Sequence, residues 1–101
     1  MSVPKHSVGR KSRRRFLALA TELESALLFD DASGIKDVVD TALSLKEFIL
    51  CNSLPLKTAE KVRVIKTLSR ARVRMCMSSI EESSSAFAAL DGISMELMEI
   101  L

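Results

Sequence analysis

Apolar residues recur at steps of three and four through nearly the whole chain, and this spacing constrains its fold more than any other feature. Phe16, Leu19, Ala20, Leu23 and Leu27 fall on one side of a helix of about 3.6 residues per turn. Ile35, Val38, Val39, Ala42 and Ile49 repeat the pattern, with the Lys46 stem laid along the same face. Val62, Ile65, Ser69, Val73, Cys76 and Ile80 form a third stripe, and Phe87 and Leu90 extend it. Three glycines and two prolines are too few for the many turns of an all-β domain.

The interruptions place the helix ends. Residues 30–34, Asp-Asp-Ala-Ser-Gly, are turn and capping chemistry. Pro55, after Asn52-Ser53-Leu54, suits a first helical turn but not a helix interior. Helices are therefore expected over 12–29, 35–51 and 56–80, the last running to 90 if Ser83-Ser84-Ser85 only weakens it. Asp91-Gly92 is expected to end it, with Gly92 in a left-handed cap. A short segment, 93–101, follows. The expectation is an all-α protein: a three- to four-helix antiparallel bundle with a long third helix, because short connections favour antiparallel neighbours. Residues 1–11 read as a flexible basic arm and 12–101 as a single helical domain. Phe16, Leu19, Leu23, Leu27, Ile35, Val38, Val39, Ala42, Ile49, Val62, Ile65, Val73, Cys76, Ile80 and Phe87 are the expected core.

Charge is segregated along the chain. Residues 1–20 carry six positive charges and no negative ones; residues 21–56 carry two positive and seven negative. Residues 57–74 carry seven positive and one negative, and residues 75–101 carry five negative and none positive. Within the third block, Arg63, Lys66, Arg70 and Arg74 lie three, four and four apart. They fall within about 80° of arc and span about 16 Å, on a different face from the apolar stripe read for that helix. Such a row suits phosphates along a nucleic-acid backbone, and arginine forks onto phosphate oxygens better than lysine.

The second basic feature is Arg10, Lys11, Arg13, Arg14 and Arg15, five of six consecutive residues. In composition the run resembles arginine-rich RNA-binding segments in general. It reads as a nuclear import signal or a polyanion contact, with a mitochondrial presequence or plain solubility as alternatives. The density of the cluster and the acidic stretch beginning at Glu22 point to nucleus, or nucleus and cytoplasm, with the mitochondrial matrix as the minor alternative. There is no Trp or Tyr to offer base-stacking platforms. A nucleic-acid target is therefore expected to be a duplex read by shape and phosphate, RNA before DNA.

The last segment, with Ile93, Leu97, Ile100 and Leu101, reads either as a final helix packed on the bundle or as a partner-docking helix. Met75, Met77, Met95 and Met98 are core filler or an adaptable interface. No apolar run approaches the roughly 20 residues of a membrane span. Cys51 and Cys76, with His6 as the one histidine, make no zinc pattern and read as buried free thiols. No Ser-His or Cys-His pair and no phosphate-cradling glycine loop is available.

These absences predict a non-enzyme with no cofactor, metal, membrane or small-molecule substrate. The expected function is sequence-independent binding of duplex nucleic acid by the basic helix face and basic arm. The alternative is a protein-interaction or adaptor subunit docking through 93–101. A homodimer or other protein partner is expected because an overlong third helix leaves apolar surface uncovered.

Overall fold

A computed structural model describes residues 5–29 and 31–101, with side chains from Arg10 onward. It is all-α, with four helices among the described residues: α1 Lys5–Ala26, α2 Ala32–Asn52, α3 Thr58–Met77 and α4 Ser83–Ile100. The first four residues of the expected arm, the His6 side chain and Asp30 of the first turn lie outside the described residues.

Several boundaries correct the sequence reading. Helix α1 runs from Lys5, ahead of the expected start at 12. The one glycine between them, Gly9, costs about 1 kcal/mol in a helix, which cooperative growth from a nucleated helix offsets. The third helix is not the longest: α3 has 20 residues, against 22 in α1 and 21 in α2. It stops because Ser78 offers the backbone another partner, its hydroxyl accepting from the Ile80 N–H at 3.1 Å. The Ser83 hydroxyl then donates to the Ile80 carbonyl at 2.5 Å, so the serine run opens α4 instead of weakening α3. Gly92 caps nothing; it lies inside α4.

Helix α2 has the clearest ends. The Asp31 carboxylate accepts from the Gly34 N–H at 2.7 Å. At its other end Ser53 takes a left-handed conformation (φ 45°), and the Leu54 N–H reaches the Ile49 carbonyl at 3.2 Å. At the start of α3, the Glu60 carboxylate accepts from the Lys57 N–H at 2.8 Å.

The chain folds as two antiparallel hairpins. Thr21, Ser25 and Ala26 of α1 meet Asp37 and Thr41 of α2, while Arg72 of α3 bonds Asp91 of α4 at 3.1 Å. The hairpins pack with α2 beside α4 and parallel to it. Ile35 and Val39 lie near Ala86 and Ala89, Lys46 bonds Glu96 at 2.9 Å, and Ile49 ends near Ile100. Helices α2 and α3 are joined by a short loop yet barely touch. The core is Phe16, Leu19, Leu23 and Leu27 from α1; Ile35, Val38, Ala42, Leu45 and Ile49 from α2; Val64, Leu68, Ala71 and Met75 from α3; and Ala86, Leu90, Ile93 and Leu97 from α4.

The α1 and α2 positions match the expected core, except that Val39 is only half-buried; Ile80 and Phe87 are also half-buried. On α3 the face is wrong. Val62, Ile65, Val73 and Cys76 are exposed, and the helix turns Val64, Thr67, Leu68, Ala71 and Met75 inward.

Two glycine substitutions check these boundaries by thermal or urea unfolding. A Cβ at Gly34 would lie 2.7 Å from the Phe29 carbonyl oxygen and 2.8 Å from the Phe29 Cβ, so Gly34→Ala should destabilise the fold by about 1–3 kcal/mol. A Cβ at Gly92 meets nothing within 4 Å among the described residues. Gly92→Ala should therefore stabilise by about 0.5–1 kcal/mol, as in any exposed helix interior. Destabilisation by Gly92→Ala would instead restore the left-handed cap.

Candidate nucleic-acid interface

Nine basic side chains carry the sequence-based interface, and the fold divides them. Arg10, Lys11, Arg14 and Arg15 are exposed on α1. Because the helix starts at Lys5, they sit beyond its first turn, clear of the unpaired N–H groups that would repel them. Arg13 points sideways towards α3. Its Nη2 donates to the Pro55 carbonyl at 2.8 Å, and its Nη1 pairs with the Glu60 carboxylate.

Arg63, the first of the α3 row, is also occupied. Its Nε and Nη2 each donate to one Glu24 carboxylate oxygen at 2.7 Å, and Nη2 also reaches the Thr21 hydroxyl at 3.2 Å. This fork binds α3 to α1. It lowers the Glu24 pKa mainly through the Arg63 hydrogen bonds, against the raising effect of burial, and raises that of Arg63. Arg13 likewise lowers the Glu60 pKa, again against burial. Both carboxylates are charged at neutral pH, so the charges of Arg13 and Arg63 are largely satisfied inside the fold.

The row was expected to face away from the core with all four cations open. The inward face of α3, with Val64, Leu68 and Ala71, lies on the other side of the row from the stripe read in the sequence, and this sets Arg63 against α1. Lys66 and Arg70 remain exposed, and Arg74 is half-buried. The acid paired with Arg63, Glu24, is on α1 and came into view only with the α1–α3 contact.

That contact assembles something the spacing does not reveal. Arg13 near the start of α1 bonds Pro55 and Glu60, so the starts of α1 and α3 lie side by side. The exposed Arg10, Lys11, Arg14 and Arg15 are therefore gathered at one end of the bundle with the exposed Lys57 and half-buried Lys61. Lys57 and Lys61 were counted in the third charge block but not singled out. Their only signal in the sequence is that Pro55 starts their helix at the same end as the arginine run.

The docking segment resolves differently. Ile93 and Leu97 are core residues of α4, 6% and 1% exposed, and Leu101 is half-buried. Only Ile100, 48% exposed, keeps a free surface. Cys51 and Cys76 are free but exposed, not buried as expected. Among the described residues no group of His, Cys, Asp and Glu is placed to hold a metal ion, and no helix is long and apolar enough to cross a membrane. No known protein family, curated protein or solved structure matches this chain.

Proposed function

We propose that this protein binds nucleic acid, duplex RNA in preference to DNA, through phosphate contacts at the basic end of the bundle. The observation that carries the reading is the double anchor of Arg13 on Pro55 and Glu60. It holds the starts of α1 and α3 side by side, so that Arg10, Lys11, Arg14, Arg15, Lys57 and Lys61 are gathered at one end of the bundle, with Lys61 on the side towards Ile100 of α4. Two helix N-termini at that end add positive potential. Phosphate contacts of this kind bind without reading sequence.

The aromatic side chains support a duplex target. Phe16 is fully buried, Phe48 and Phe87 are half-buried, and the exposed Phe29 lies at the far end of α1. Among the described residues none of the four is an exposed ring at the basic end. The adaptor alternative needs Ile93 and Leu97 on a partner protein, and both lie in the core. A nuclear or nucleocytoplasmic address belongs to the same proposal and rests on the contiguous cations from Arg10 to Arg15.

Fluorescence anisotropy with a generic RNA duplex at low and moderate salt tests this. With four to six phosphates neutralised, affinity should fall by about 10²–10³-fold between roughly 50 and 200 mM salt. Arg14→Glu combined with Arg15→Glu reverses two exposed charges and should weaken binding by at least about 30-fold at low salt. Replacing the Glu24–Arg63 pair together by glutamines should leave binding within about twofold, because that pair is neutral as a unit. Equal binding by the wild type and the double glutamate variant would overturn the proposal.

A further inference from the structure

Helix α3 carries two apolar stripes, and the bundle covers only one. Val62, Ile65, Ser69, Val73 and Cys76 share the opposite side from Val64, Leu68, Ala71 and Met75. The uncovered stripe continues onto α4, since Ile65 and Met98 line one crevice, and Met95 lies one turn from Met98. Val73, Met95 and Met98 are 57%, 62% and 61% exposed. This two-helix face runs over α3 and α4, and at Ser69 and Val73 it borders a cavity shared with Leu27 of α1. The α3 stripe from Val62 to Cys76 is about 21 Å long, and with the α4 methionines beside it the face is about 20 Å by about 20 Å, at the low end of what each partner contributes to a weak specific interface.

We propose that a second copy of this chain covers the face, with each α3 lying antiparallel on the α4 of the other copy. The charges on its two edges argue for self-association. The α3 edge carries the exposed Lys66 and Arg70, and the α4 edge carries the exposed Glu99. A two-fold axis along the helices brings each basic edge onto the acidic edge of the other copy. The alternative two-fold, α3 on α3, would oppose like charges. The heights agree as well. Within one hairpin Ile65 is level with Met98 and Arg72 with Asp91, so rotation about that axis sets Lys66 close to Glu99 of the second copy. The face contains none of the six cations at the bundle end, so the inference stands independently of nucleic-acid binding.

Sedimentation equilibrium and cysteine alkylation test it on the full chain. The wild type should dimerise reversibly in the micromolar range. Val73→Glu, at an exposed site, should weaken dimerisation by about 30-fold or more while circular dichroism stays that of the folded chain. Lys66→Glu and Glu99→Lys should each weaken it, and the two together should restore it. Cys76 lies on the face, and Cys51 lies outside it on α2; both are exposed in the single chain. As concentration rises, alkylation of Cys76 should slow while that of Cys51 does not. A wild-type chain that stays monomeric at high micromolar concentration overturns the proposal and leaves the face to a different protein. A dimer indifferent to Val73→Glu overturns the choice of face, and failure of the charge swap to restore association overturns the α3-on-α4 arrangement.

Discussion

Leu97→Asp is expected to unfold the protein, not to separate it from a partner. Leu97 is 1% exposed and packs in the one core with residues from all four helices. The Arg72 guanidinium lines the same crevice but is already committed to Asp91. Burying a carboxylate without a partner, and losing the leucine packing, should together cost about 4–6 kcal/mol. A domain of this length has about 5–15 kcal/mol of stability in total, so most of it goes. Ile93→Asp should act in the same direction. Ile100→Asp, at a half-exposed position on the last turn of α4, should shift stability by less than about 1 kcal/mol. Urea unfolding followed by circular dichroism separates these outcomes. A Leu97→Asp chain that unfolds at the wild-type midpoint yet loses a bound protein would return 93–101 to a docking role.

How much of this was legible in the sequence depends on how many apolar stripes a helix has. Helices α1 and α2 each carry a single stripe, so Phe16, Leu23, Val38 and Ile49 could be placed in the core from spacing alone. Helix α3 has two stripes of equal period. Val62, Ile65 and Val73 lie on one of them, whereas the fold buries the other, which contains Val64, Leu68, Ala71 and Thr67. Ala71 and Thr67 let α3 approach its neighbours closely, and spacing does not report which face a neighbour needs. The same ambiguity misplaced the basic row, because the orientation of Arg63 follows from the face that is buried. Its partner Glu24 lies 39 residues earlier in the chain, and no local pattern connects the two. The end of α3 was misread for another reason: the run Ser83-Ser84-Ser85 attracted the break, but Ser78 makes the local hydrogen bond that ends the helix. The basic end of the bundle is a tertiary product, made when Arg13 of one hairpin meets Pro55 and Glu60 of the other.

The two stripes of α3 make the sharpest contrast in the molecule, and one residue type in two places tests it. Val64 is 1% exposed and Val73 is 57% exposed, although both are valines in the same helix. Val64→Asp puts a charge into the core among apolar side chains, and should cost about 4 kcal/mol or more. Val73→Asp keeps its carboxylate in water, loses little packing, and should cost less than about 1 kcal/mol in the single chain. Only the comparison at low protein concentration is clean, because a dimer adds stability that grows with concentration by mass action. At high concentration Val73→Asp should look more harmful than it is, since the wild type gains from association and the variant does not. A Val73→Asp penalty that grows with concentration, beside a Val64→Asp penalty that is large at every concentration, is the expected pair of results. A larger penalty for Val73→Asp than for Val64→Asp at low concentration would mean that α3 is turned the other way, with the Val62 and Val73 stripe inside and Arg63 swung away from Glu24.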